Sequence, residues 1–271
     1  MRAWLDGHLL DDPTAPALRV DDHGVTVGDG VFEAIKVIDG LPFALDRHLE
    51  RLHRSAAGLG LESVDDEALR RGVKEVLADP LPLGRIRITV TGGPAPMGSG
   101  RGDARPTVVV TADVMQPWPA ATSVVTVPWP RNEKGALAGL KTTSYAENVV
   151  ALAEAHRQGA TEAVFANTQG HLCEGTGTNV FYVVDGELRT PSLASGCLAG
   201  VTRGLILEWY GGREVDEPID VLEQASEIFL ASTTRDAQAV VRWNERDLPH
   251  GPVTRAVQEV WRSRESELLG H

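Results

Sequence analysis

Four short segments gather residue types that act on small molecules. Leu140-Lys141-Thr142-Thr143-Ser144-Tyr145 follows an apolar, glycine-rich stretch and places a lysine where a helix is read to open. A lysine there meets the positive end of the helix dipole, which favours the neutral amine. A neutral amine is what Schiff-base formation requires. The segment from Cys173 to Phe181 sets an acid, Glu174, ahead of Gly175, Gly177 and a strand. Those glycines permit close approach of backbone to a ligand. The segment from Gly196 to Arg203 runs into a helix. Amides at a helix start bind anions, and the Thr202 hydroxyl can add a bond. The segment from Phe229 to Arg235 ends a buried strand in Ser232, Thr233 and Thr234, hydroxyls suited to phosphate oxygens. Each segment also has an ordinary reading: a surface lysine, a turn acid, a helix capped by Thr202, a strand-end turn with local bonds.

The elements that must position these residues are legible in outline. Residues 1–115 read as a small α/β domain, 116–122 as a proline-rich linker, and 123–271 as a larger second domain. In the first domain, Trp4 to Leu10 reads as a strand or hairpin arm and Val31 to Ile38 as a strand. Residues 46–58 read as a helix capped by Asp46 and ended by Gly58. Residues 66–77 read as an amphipathic helix, and the alternation from Arg85 to Thr91 as a half-buried strand. A glycine- and proline-rich loop spans 92–106, before a strand from Thr107 to Ala112. In the second domain, strands are read at 123–127, 162–165, 180–184 and 227–232. Helices are read at 145–158, 202–209 and 252–268.

The 271 residues carry a formal net charge of −12, which argues against nucleic acid or anionic lipid as a partner. Two cysteines make no disulfide framework in a chain this long. No apolar run approaches the length of a membrane span, and the N-terminus has an acid, Asp6, where a signal peptide needs an apolar core. A cytoplasmic enzyme is expected. The lysines are Lys36, Lys74, Lys134 and Lys141, a short list of possible Schiff-base residues.

Together the four segments resemble the fold-type IV enzymes that use pyridoxal 5′-phosphate (PLP), the class IV aminotransferase group. Upstream, His23-Gly24-Val25-Thr26-Val27-Gly28-Asp29-Gly30-Val31-Phe32-Glu33 is similar to that family's early GDGVFE segment. Arg47-His48-Leu49-Glu50-Arg51-Leu52 is similar to its H-x-x-R-L segment. The resemblance runs from about residue 20 to residue 236, in the family's order and at its separations. It implies an α/β (α+β) two-domain fold, with a small α/β N-terminal domain and a larger pseudobarrel C-terminal domain. It implies that Lys141 carries PLP and moves the proton at the substrate Cα. Glu174 would face the pyridine nitrogen, and Arg51 would pair with the phosphate. Val201, Thr202 and Thr233 would bind the same phosphate, with Ser232 or Thr234 nearby. Tyr145 would partner the ring O3′, and Leu198 would pack on one ring face. No metal is called for, and a homodimer is expected, with the 93–105 loop crossing to the partner.

The choice of reaction is less sharply marked. Phe32-Glu33-Ala34 resembles the aminotransferases, and the threonines of the better-known lyase pattern are absent here. The loop from Met97 to Asp103 resembles the glycine- and arginine-rich loop of some aminodeoxychorismate lyases, though not without gaps. An Arg-x-His pair that traps the α-carboxylate in some D-amino-acid aminotransferases is also absent. Arg101 or Arg105 stands as the alternative, against an ordinary reading as a solvated loop residue. The leading expectation is an aminotransferase moving an amino group between an amino acid, or amine, and a 2-oxo acid in a ping-pong cycle. The second is a lyase giving 4-aminobenzoate and pyruvate from 4-amino-4-deoxychorismate. A non-catalytic PLP-binding protein is the third, opposed by the intact Lys141 and Glu174.

Overall fold

Alternation along Arg85-Ile86-Arg87-Ile88-Thr89-Val90 sends Ile86, Ile88 and Val90 fully into a core and leaves Arg85 and Arg87 exposed. That pattern seeds the first of two compact units in the computed structural model, which describes residues 1–61 and 64–271. The first unit comprises Met1–Pro117, Leu140–Ser144 and Leu268–His271; the second comprises Trp118–Gly139 and Tyr145–Glu267. The expected division at 116–122 thus lacks two returns of the chain to the first unit, at 140–144 and at the C-terminus.

In chain order, the first unit holds β1 (Arg2–Leu5), β2 (His8–Leu9), α1 (His23–Thr26), β3 (Gly30–Ile38), β4 (Leu41–Pro42), α2 (Leu45–Gly58), α3 (Asp66–Val76), β5 (Leu83–Thr91) and β6 (Thr107–Val114). Among the described residues these strands form a six-stranded sheet in the order β2-β1-β6-β5-β3-β4, with antiparallel neighbours throughout. Val31, Ile35 and Val37 of β3 pack in one cluster with Leu45, Leu49, Leu52 and Ala56 of α2 and Leu69, Val73 and Val76 of α3. Each buried leucine contributes about 1.5–3 kcal/mol of transfer free energy. The expected cap of α2 is corrected: Ala44, in the left-handed region at φ 50°, precedes the helix without a side-chain bond. Asp46 lies in its first turn and accepts from Arg70 Nη1 at 2.7 Å.

The second unit holds β7 (Ala121–Thr126), α4 (Ala146–Arg157), β8 (Glu162–Ala166), β9 (Leu172–Gly175), β10 (Asn179–Val184), β11 (Glu187–Pro191), α5 (Val201–Trp209), β12 (Arg213–Val215), β13 (Glu227–Ser232), β14 (Asp236–Trp243), β15 (Arg246–Asp247) and α6 (Pro252–Arg264). Among the described residues they make a curled, mixed sheet in the order β12-β11-β10-β13-β14-β7-β8-β9, with β15 beside β14. At its centre Phe181 and Phe229, a cross-strand pair, stack with ring centroids 4.9 Å apart. The sequence reading lacked β9, β11, β12, β14 and β15. The helix expected at 252–268 ends at Arg264 and continues as a 3-10 turn, Glu265–Leu268. No helix among the described residues is long and apolar enough to cross a membrane.

Candidate active site

Lys141 does not open a helix. Its segment lies along the start of β3: Phe32 N donates to Lys141 O at 3.0 Å, and Thr143 N donates to Gly30 O at 2.8 Å. α4 begins only at Ala146, with Tyr145 as its cap residue. The reason is nonlocal, since pairing with β3 satisfies the backbone groups that a helix would otherwise use. The Lys141 amide also donates to Ser55 Oγ at 3.1 Å. One turn on along α2, Gly58 makes room for Leu140, whose Cδ2 would stand 2.7 Å from a Cβ there. The dipole argument for a neutral Lys141 therefore does not apply.

The two faces of β3 do different work. Phe32 lies on one face, where Lys141 Nζ stands 4.4 Å from its ring centroid and the exposed Arg87 guanidinium 3.9 Å. Arg87 sits opposite Ala34 in register, on the same face as Phe32. Glu33 points to the other face, among the core residues Val31 and Ile35. It accepts from Arg51 Nε at 2.8 Å and Arg51 Nη2 at 2.7 Å, and His48 Nδ1 stands 2.7 Å away. All three residues are buried. Burial opposes the Glu33 charge, but Arg51 and then His48 outweigh it and hold the carboxyl far below its ordinary range. Facing an ionised acceptor, His48 Nδ1 must carry the proton and donate. Burial is the largest influence on His48 and, with the charges of Arg51 and Lys141, moves its pKa downward despite Glu33.

Arg101 is engaged within its own unit. Its Nε and Nη2 donate to Asp29 at 2.5 Å each, and its Nη groups reach the carbonyls of Leu59 and Gly60 at 2.7 and 2.8 Å. That anchors the 92–106 loop, whereas Arg87, whose Nε donates to Thr89 Oγ1 at 3.2 Å, is exposed over the Phe32 ring. Arg105 is exposed.

In the second unit, β9 delivers Glu174. Its Oε2 accepts from the Leu198 amide at 2.9 Å, and Arg131 Nε stands 3.2 Å from its Oε1. Arg131 lies over the Phe165 ring at 4.2 Å and donates to Asn148 Oδ1 at 3.0 Å. Tyr145 is half-buried; burial and the Glu174 charge push its hydroxyl pKa up. The helix cap before α5 is Gly200, not Thr202. Asn179 Nδ2 holds Leu198 O at 2.8 Å, and a Cβ on Gly200 would collide with Asn179 Oδ1. Thr202 is thus a first-turn residue, and its buried hydroxyl meets no protein partner among the described residues. Ser232 ends β13, buried Thr233 and Thr234 form the turn, and Asp236 at φ 56° starts β14.

A family model, amino-transferase class IV, matches residues 30–243. This chain belongs to the class IV aminotransferase family. Similar proteins include a bifunctional aminodeoxychorismate lyase / D-amino acid transaminase of Mycobacterium tuberculosis. It is 30% identical over 296 residues, 96% of this chain and 97% of that protein. A solved branched-chain aminotransferase from Thermoproteus uzoniensis, with norvaline, matches at TM-score 0.90 and 27% identity, over 99% of this chain and 98% of that one. The PLP-bound form of a hypothetical aminotransferase from Mycobacterium tuberculosis matches at TM-score 0.88 and 27% identity, over 98% and 99%. The fold is that of fold-type IV transaminases. The chain is an enzyme of a PLP-dependent family whose members include aminotransferases and aminodeoxychorismate lyases.

The residues present fit that cofactor. A phosphate dianion needs cations and N–H or O–H donors. Arg51 is a cation held in a fixed plane, and Thr202 offers a buried hydroxyl at a helix start. Glu174 is an acid already braced by an amide and a guanidinium. Sequence reasoning missed His48, Ser55, Arg87, Arg131 and Asn179 as parts of these arrangements. The stretch H-x-x-R-x-x-x-S-x-x-G (His48, Arg51, Ser55, Gly58) carried a signal, because those spacings lie on one helix face.

Proposed function

We propose that this enzyme transfers an amino group between an amino acid and a 2-oxo acid, with Lys141 carrying PLP. When bound, the cofactor supplies an electron sink that weakens the bonds of the substrate Cα. The Lys141 amine takes and returns the proton at that carbon. Glu174 holds a proton at the ring nitrogen, and Tyr145 donates to the ring O3′. Arg51, the Val201 and Thr202 amides, the Thr202 hydroxyl and Thr233 bind the phosphate, with Ser232 and Thr234 beside them, while Leu198 packs on the ring. Arg87, rather than Arg101 or Arg105, orients a substrate carboxylate.

The observation that carries this reading is the pairing around Phe32: an amine and an exposed guanidinium against one aromatic ring. That is what an amino acid requires, a group to work on its Cα and a cation for its carboxylate. Glu33 after an aromatic residue resembles the aminotransferases, and the threonines of the better-known lyase pattern are absent from this stretch, which favours transfer over elimination. Lyase activity on 4-amino-4-deoxychorismate is the second reading, supported by the Mycobacterium tuberculosis relative whose name carries both activities. Two copies assemble, with the 93–105 loop, exposed at Met97, reaching the second.

The test mixes the yellow holoenzyme with an amino acid alone, then adds 2-oxoglutarate or pyruvate. Transfer predicts that the amino acid bleaches the long-wavelength band and the oxo acid restores it. Slow bleaching beside fast release of 4-aminobenzoate from aminodeoxychorismate would establish the lyase instead.

A further inference from the structure

We infer that Glu33 is a positioning residue whose carboxylate aims the Arg51 guanidinium at the cofactor phosphate. The inference rests on the reading that Arg51 binds that phosphate, and adds a group that itself touches no ligand.

Glu33 occupies a place made for an apolar side chain. It alternates with Val31 and Ile35 on the core face of β3 and is fully buried. A carboxylate there costs heavily unless it is compensated. Arg51 compensates it side-on, through Nε and Nη2 at 2.8 and 2.7 Å. A guanidinium is a rigid planar fork with five N–H donors. Fixing it along its Nε–Nη2 edge therefore sets the direction of the Nη1 edge as well. His48, one turn earlier on α2, brings its Nδ1 to 2.7 Å from Glu33 Oε2 and removes the remaining freedom of the carboxylate. The alternative is that the pair only fastens α2 to β3. Buried ion pairs are weak evidence for stability by themselves, and a fastening role alone would be served equally by packed apolar residues.

The decisive quantity is phosphate discrimination, the ratio of affinities for PLP and for pyridoxal, which lacks the phosphate. It is measured by titrating apoenzyme of the wild type, Arg51→Ala, Glu33→Gln, Glu33→Asp and the core control Ile35→Val. Glu33→Asp keeps the charge but withdraws it by one methylene, so it gives an answer if Glu33→Gln does not fold. Arg51→Ala is expected to lower the ratio by about 10- to 100-fold. Glu33→Asp should lower it roughly three- to tenfold, with pyridoxal affinity unchanged, and should lower it no further when added to Arg51→Ala. Ile35→Val should leave the ratio alone. If Arg51→Ala lowers the ratio while the Glu33 variants keep the wild-type value, the inference falls and the phosphate reading stands. If Arg51→Ala also keeps that value, the phosphate reading falls and takes the inference with it.

Discussion

In the first unit the buried polar groups around Lys141 are bonded to one another: Glu33 to Arg51 and His48, and Ser55 to the Lys141 amide. In the second unit Glu174 is braced by Leu198 and Arg131, but the Thr202 hydroxyl is buried without a protein partner among the described residues. The contrast follows from charge. A buried ion must be compensated in the protein itself, whereas a neutral hydroxyl left unpaired costs only about 1–3 kcal/mol. The first unit therefore holds these groups as part of its fold, and the second keeps a donor in reserve. Substitutions should separate the two: in the first unit they should cost stability and function together, in the second function more than stability.

The largest effect falls on Lys141. Lys141→Ala should abolish turnover and the yellow colour, and borohydride treatment of the wild type should fix PLP to Lys141. An adduct on Lys36, Lys74 or Lys134, or an unchanged spectrum in the variant, would contradict the assignment. Glu174→Gln comes next. It should retain PLP while slowing proton removal from the substrate by at least about a hundredfold, roughly 2.7 kcal/mol of barrier. Single-turnover rates equal to the wild type would remove Glu174 from its role.

Stability should respond most to Glu33→Gln, which leaves the Arg51 cation buried without its carboxylate. Denaturant unfolding of apoenzyme should show a loss of about 3–5 kcal/mol. A loss below about 1 kcal/mol would mean that Arg51 finds another partner and the first unit is less committed than its geometry implies.

His48 adds a pH dependence to the same cluster. Its folded pKa lies below the ordinary 6.5, chiefly through burial. Below about pH 6.5 the unfolded chain binds a proton that the folded chain refuses, so stability is full above that value and declines as pH falls through it. The slope is at most about 1.4 kcal/mol per pH unit. Between pH 6.5 and 5 the wild type should lose stability faster than His48→Asn. Equal slopes would show that His48 takes up its proton as readily folded as unfolded.

Local periodicity made much of this fold legible. The strand read at Glu227–Ser232 is β13 as found, and the α2 and α5 readings miss by a residue. The failures share a cause, which is backbone pairing with distant chain. Local sequence puts Lys141 on a helix because nothing nearby announces its bonds to β3. β14, with a register shift between Val240 and Arg242, lacks clean alternation. Within the candidate site, residues set in small-residue segments stood out, while Arg87 and Arg131 did not. Their meaning comes from an aromatic ring or an acid far away in sequence, and a lone arginine carries no local mark of such a partner. Glu33 shows the same limit differently: its type helped to choose between reactions, but its bond to Arg51 depends on β3 facing α2.

The smallest effect gives the sharpest separation of the two units. Thr202→Val replaces the buried hydroxyl by a methyl of similar size. In the apoenzyme no protein bond to that hydroxyl is lost and an unpaired polar atom is removed, so stability should stay within about 0.5 kcal/mol of the wild type or rise. In the holoenzyme, loss of the proposed hydrogen bond to phosphate should weaken PLP binding by about 0.5–1.5 kcal/mol, a twofold to twelvefold change. Pyridoxal binding should not change, because the bond lost belongs to the phosphate. Denaturation of apoenzyme and titration with both aldehydes measure the two quantities on one preparation. A variant that loses apoenzyme stability while keeping its PLP affinity would place Thr202 with the structural groups. The contrast with Glu33 would then fail at the residue on which it most depends.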